Sequence, residues 1–233
     1  MEPVEIIERA CVGHPELELH APPPPDEIEA LETELGVRLP GVLRVLLERT
    51  GGIDGGPLET IDFTGRSFDV EVREIFPSGL AIAHDGSGNH WVLDLTPETA
   101  PPPVFYASHD PPVVLLQSPD LGHFLTEVFR KLDRPKASLI DDVHSDRLFR
   151  VWRENPGALP HEAALEGDEE LRAFAATLDD RYLIVDLRSP EIGMGFSWGR
   201  YGPATEIHRH GYRGLFAYAP PERRPGLLRR LFR

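Results

Sequence analysis

Gly195-Phe196-Ser197-Trp198-Gly199 has the G-x-S-x-G spacing of a nucleophile elbow, and Glu206, His208 and His210 follow in the serine, acid, histidine order such hydrolases use. The chemistry would be acyl transfer: the serine hydroxyl attacks a carbonyl while an imidazole takes its proton. It requires Ser197 on a strained turn between a strand and a helix, with the helix N-terminus facing the oxyanion. Here Gly202-Pro203 follows almost at once and a strand-like run comes next, so the segment reads first as a glycine-rich hairpin or bulge. A serine hydrolase built on Ser197 is the enzymatic alternative.

Metal chemistry has weaker support. His208 and His210 alternate onto one side of a strand, and Asp186 or Glu206 could extend a ligand shell, but no third ligand stands at recognisable spacing. His144, with Asp141, Asp142 and Asp146 beside it, reads as a polar helix start. Asp85-Gly86-Ser87-Gly88-Asn89 has the alternating oxygens of a calcium loop, yet His90 and Thr96 occupy the places where an EF-hand needs glycine and glutamate. That segment is expected to be a turn between two strands. No metal, cofactor or catalytic residue is expected.

These residues must be held by recognisable elements. The proline run Pro22 to Pro25 hands over to Asp26, an N-cap with Glu29 three residues on, and Ile28, Leu31 and Leu35 recur at helical spacing before Gly36. A second helix over Gly41 to Thr50 is apolar nearly all round and ends at Gly51-Gly52. The period then changes. Phe68, Val70 and Val72 alternate with charged residues, and strand-like runs follow at Leu80 to Ala83, His90 to Leu95, Pro103 to Ala107 and Val113 to Leu116. The helix Leu121 to Leu132 carries Leu121, Phe124, Leu125, Val128, Phe129 and Leu132 on one stripe. Helices over Ser145 to Glu154 and Asp168 to Leu178 come next, then strands at Tyr182 to Leu187, Thr205 to His210 and Gly214 to Tyr218. The Arg-rich tail Pro221 to Arg233 reads as a short amphipathic helix.

The 233 residues carry a formal net charge of -15, with 24 basic against 39 acidic side chains. Residues 1 to 142 hold 26 acidic and 10 basic side chains, a net of -16, and residues 143 to 233 are close to neutral. This predicts an acidic binding domain over 1–142 and a C-terminal extension over 143–233, either a domain of its own or a continuation of the first sheet. Nucleic acid is excluded as a general partner, because phosphate binding needs clustered positive charge. No apolar run reaches the roughly 20 residues of a membrane span, and the acidic opening Met1-Glu2-Pro3-Val4-Glu5 is unlike a signal peptide. With Cys11 as the single cysteine, no internal disulfide can form. The expected location is the cytoplasm.

Four pieces at the joints of residues 25–132 resemble the SUKH superfamily, which includes a yeast cell-wall synthesis regulator and many bacterial toxin-immunity proteins. They are the helix Asp26 to Gly36 with Leu39-Pro40; the second helix ending Arg49-Thr50-Gly51-Gly52; the run Leu80 to Asp94 with its Asp85-Gly86-Ser87-Gly88-Asn89 turn; and Pro103-Val104-Phe105-Tyr106 leading through His109-Asp110 to Ser118 and the closing helix. The resemblance implies an α+β fold, an antiparallel sheet flanked by helices, without a catalytic centre and used to bind a cognate protein. Residues 143–233 lie outside it and form a C-terminal α+β extension.

The expected function is therefore a non-enzymatic cytoplasmic immunity protein that neutralises a basic, nuclease-type toxin. A regulatory hub of cell-envelope synthesis is a further alternative resting on the resemblance. The expected partner-binding residues are Glu27, Glu29, Glu32, Glu34 and Glu48 on the two helices, with Asp85, Asn89 and Trp91 at the turn.

Overall fold

The computed structural model describes residues 1–58, 60–65, 73–96, 101–211 and 213–222. The expected strand Phe68 to Val72 and nearly all of the expected tail helix lie outside these residues.

Strand alternation builds two cores on one sheet. On β5 (His90–Asp94), Trp91 and Leu93 enter one core and Val92 the other. On β6 (Val104–His109), Val104 and Tyr106 oppose Phe105 and Ala107; on β7 (Pro112–Ser118), Val113 and Leu115 oppose Val114 and Leu116. Because side chains alternate with a period of two, strands apolar at successive positions must be covered on both faces.

Among the described residues the sheet is antiparallel and eight-stranded, in the order β1 (Glu18–Leu19), β2 (Gly52–Asp54), β3 (Thr60–Asp62), β4 (Gly79–His84), β5, β6, β7 and β10 (Gly195–Phe196). Its first face is covered by helices: α1 (Pro3–Gly13), α2 (Pro25–Leu35), α3 (Gly41–Leu47) and α4 (Leu121–Asp133). A continuous helical stretch follows. It comprises α5 (Leu139–Asp141), a π-turn segment at Asp142–Arg147 and α6 (Leu148–Glu154), and its Ile140, Val143, Leu148 and Val151 join the same core. The composition break near position 142 falls inside this stretch.

The second face is covered by another antiparallel sheet, ordered β11 (Glu206–Arg209), β12 (Leu215–Ala219), β9 (Leu183–Asp186) and β8 (Ala158–Pro160). Val185, Phe216 and Tyr218 pack with Val92, Phe105, Val114 and Leu116 of the large sheet. The opposite face, with Ile184, Leu215 and Ala217, carries the helices α7 (His161–Ala164) and α8 (Glu169–Ala175). The layers run helices, sheet, sheet, helices. The fold is the expected α+β, an antiparallel sheet flanked by helices.

Several boundaries differ from expectation. Helix α2 starts at Pro25 after Pro24, with no side-chain cap, so Asp26 sits in the first turn and the expected capping box does not form. Gly36 does end the helix in the left-handed region, with φ of 69°. Asp120 caps α4 through its carboxylate, 2.7 Å from the His123 amide, and Asp168 caps α8 in the same way at 2.9 Å. The segments α1, β1, β2, β3, β8, α7 and β10 were not expected; most are too short to show a period.

Candidate functional site

Helix α2 turns by about 100° per residue, so its four glutamates do not share one face. Glu27 and Glu34 lie on one side of the buried stripe of Ile28, Leu31 and Leu35; Glu32 lies on its other side with Glu29 beyond. Burial follows this geometry. Glu29 and Glu34 are exposed, as is Glu48 just after α3, whereas Glu27 and Glu32 are half-buried.

Glu32 is a structural residue. Its Oε1 accepts the Leu39 amide at 2.6 Å and the Arg44 Nε at 3.1 Å, and its Oε2 pairs with the same guanidinium. Burial pushes its carboxyl up, but the Leu39 amide and the Arg44 and Arg38 charges outweigh that and hold it below the usual glutamate range. It fastens the α2–α3 connection and offers little to a partner. Glu34 stands 3.8 Å from Arg73 with both side chains well exposed, a weak contact. Glu29 and Glu48 have no ion-pair partner among the described residues.

The Asp85 to Asn89 segment is the expected turn, joining β4 to β5, with Gly86 and Gly88 at φ of 76° and 86°. Asp85 closes it. Its Oδ1 accepts the amides of Ser87 at 2.9 Å and Asn89 at 3.2 Å, and its Oδ2 accepts Asn89 Nδ2 at 2.7 Å and the Tyr106 hydroxyl at 2.9 Å. Burial raises the Asp85 carboxyl, and the four donors together more than offset it, so its pKa falls below the ordinary aspartate value. The Tyr106 hydroxyl is pushed far up by burial and by the Asp85 charge. Asn89 Oδ1 accepts the His109 amide at 3.0 Å, with His109 Nδ1 at the same distance. The carboxylate is committed to the turn itself rather than to a cation, and among the described residues no group of three potential ligands is arranged for a metal. Tyr106 and His109 stand in the SUKH-like stretch read from the sequence, but their bonds to this turn come from another strand and leave no local signal.

Trp91 must be removed from the partner-binding set. It is 1% exposed, donates Nε1 to Gln117 Oε1 at 3.0 Å and packs against Tyr106 and Phe124. Asn89 is likewise mostly buried, at 8%.

The G-x-S-x-G segment does not form an elbow. Ser197 is fully buried, follows β10 and precedes a turn rather than a helix, and its hydroxyl has only the Val151 carbonyl, at 3.5 Å. The histidines and acid of the would-be triad are held elsewhere. His208 Nε2 and Glu206 Oε2 both meet the Tyr182 hydroxyl, at 3.0 Å and 2.8 Å, and the His210 ring lies over Phe174. The glycines have a packing reason. A Cβ at Gly195 would stand 1.8 Å from the Val114 carbonyl oxygen, and one at Gly199 2.6 Å from Pro112. Trp198 donates Nε1 to the Ser108 carbonyl at 3.1 Å. The motif is a clamp laid flush on β7.

Five acidic groups of the extension are paired with two arginines. Arg188 meets Asp168 and Asp186, each at 2.6 Å, and Glu170 at 3.0 Å, and Arg181 meets Asp179 at 2.9 Å and Glu206 at 3.2 Å. The Arg188 guanidinium holds Asp168 down at about 2. No helix among the described residues is long and apolar enough to cross a membrane.

No curated protein matches the chain. Residues 22–127, which span α2, α3, the β4–β5 turn and most of α4, match the SMI1 / KNR4 family (SUKH-1). Residues 22–127 are thus similar to a SUKH domain of that family, and a second sheet from the rest of the chain lies against theirs.

Proposed function

We propose that the protein is a non-enzymatic binding module whose acidic SUKH-like domain captures a basic protein, and that it acts as an immunity protein against a nuclease-type toxin. One observation carries the reading: residues 1–142 have a net charge of -16 while residues 143–233 are close to neutral, and Glu29, Glu34 and Glu48 stand exposed on α2 and just after α3. Such a field accelerates encounter with a cationic surface and repels nucleic acid. The likeness to SUKH domains supports a protein partner. In this reading residues 143–233 are an accessory that completes the layers behind the binding surface.

The test is affinity capture with wild type and with the Glu29→Lys, Glu34→Lys, Glu48→Lys triple variant, washed at low and high salt. Wild type should retain a single basic protein near stoichiometric amounts, released by salt, and the triple variant should lose it while keeping its fold. Retention by the variant at wild-type strength, or capture indifferent to salt, would move the interface off this face.

A further inference from the structure

Half of the basic side chains in the first part lie on α1 and around the end of α4: Arg9, Arg130, Lys131, Arg134 and Lys136. Three of them rim a cleft of about 750 Å³ between α1 and the end of α4. We propose that this cleft binds a small amphipathic anion: a single alkyl or acyl chain bearing a carboxylate or phosphate headgroup.

The two helices face each other with matching stripes. Ile6, Arg9, Ala10 and Gly13 recur at helical spacing on α1, and Thr126, Phe129, Arg130 and Asp133 do so on α4. Each stripe pairs an apolar floor, Ile6 and Ala10 or Phe129, with a cationic rim, Arg9 or Arg130, to which Arg134 adds a third charge. Small side chains hold the space open; a Cβ on Gly13 would meet nothing within 4 Å. The volume falls within the roughly 300–1,000 Å³ of small-molecule sites.

The cations are available. Arg9 and Arg134 are exposed and have no carboxylate partner among the described residues. Arg130 pairs with Glu127 at 2.5 Å and leaves the rest of its guanidinium outward, its side chain 44% exposed. Asp133, the carboxylate of the lining, is held by His14 Nε2 at 3.1 Å. A cationic ligand would meet three arginines, and a neutral apolar one would leave them unused. Against a field set by the acidic first part, only local contacts could hold an anion here, which suits a headgroup gripped by forked guanidinium donors.

The experiment is a calorimetric titration of the full chain with octyl phosphate and octanoate, each compared with 1-octanol and with inorganic phosphate. Both amphiphiles should bind saturably at one per chain, and the neutral and headgroup-only probes far more weakly. The Arg9→Glu, Arg134→Glu double variant should weaken binding by about tenfold or more, since two exposed charge contacts are worth about 1–2 kcal/mol together. The same charge change at Arg150 and Arg153 on α6 should leave it unaltered. Equal binding of 1-octanol, an unaffected Arg9/Arg134 variant, or no saturable binding would overturn the proposal. Sedimentation with anionic vesicles without binding of octyl phosphate would overturn it as well, by assigning the patch to a surface. None of the cleft lining comes from α2 or α3, so its failure leaves the acidic-face reading standing, and the reverse.

Discussion

Arg209 grips Asp94 across the two sheets, with Nη2 2.8 Å from Oδ2 and Nη1 3.1 Å from Oδ1, and the side chains are 3% and 1% exposed. The same guanidinium donates to the Ile75 carbonyl at 2.9 Å and lies 4.9 Å from the Phe216 ring centroid, while Asp94 also accepts the Thr96 amide at 3.1 Å. One strand of the extension is thus locked to one strand of the large sheet by a charge pair that water does not reach. Arg209→Met should destabilise the protein by about 3–5 kcal/mol, because it strands a buried carboxylate. Asp94→Asn in the same background should recover part of that loss. Urea unfolding of the two single variants and the double would measure the coupling, and a cost below about 1 kcal/mol for Arg209→Met would refute the pair's role.

Truncation to residues 1–142 should uncover Val92, Phe105, Val114 and Leu116, remove β10 from the edge of β7, and leave Asp94 without its counter-charge. The fragment should bind a hydrophobic dye and associate, instead of behaving as a soluble monomer like a self-contained domain. A monodisperse fragment with a cooperative melt would contradict this expectation.

Asp85 links the β4–β5 turn to acidity of the medium. Its folded pKa is depressed, so the stability it contributes is complete above the ordinary aspartate value and is lost as pH falls through the lower folded value. Asp85→Asn should cost about 1–3 kcal/mol near neutrality, because the amide cannot serve all four donors. The gap between wild type and variant should stay flat at higher pH and close below the ordinary aspartate pKa of 3.8. Stability curves for both proteins against pH check this; a gap that widens in acid would reverse the assigned sign.

Among the acidic residues of α2 and α3, two behaviours should separate. Glu32→Gln should lower stability by about 1–2 kcal/mol through the Leu39 amide and the Arg44 pair, whereas Glu29→Lys and Glu48→Lys should change it by no more than about 0.5 kcal/mol. Thermal melts distinguish them directly. Equal losses at all three positions would deny Glu32 its structural role.

Ser197 should stay unlabelled by a fluorophosphonate probe across a pH series, because it is fully buried and no imidazole stands beside it. Gly195→Ala should instead destabilise by about 1–3 kcal/mol or more through overpacking, since its Cβ has 1.8 Å to the Val114 oxygen. Stoichiometric labelling of Ser197 would restore the hydrolase alternative.

The elements with a long, clean period were legible in the chain: α4 through its stripe from Leu121 to Leu132, β5 to β7 through apolar runs set between turn residues, and α2 through Ile28, Leu31 and Leu35 before Gly36. The joints were legible as well, and they were enough to mark the SUKH-like segment, because capping and turn chemistry are written in adjacent residues. The acidity of the first part belongs to composition alone. What tertiary structure decided is how those residues are spent. Periodicity records which face of an element is apolar, but not which other element covers it, so the second sheet behind Phe105 and Leu116 and the partnership of Arg209 with Asp94, 115 positions apart, left no local trace. The same reason separates Glu32 from Glu29, sends Trp91 into the core, and turns a hydrolase-like motif into a clamp on β7: each is settled by what lies across from it in space.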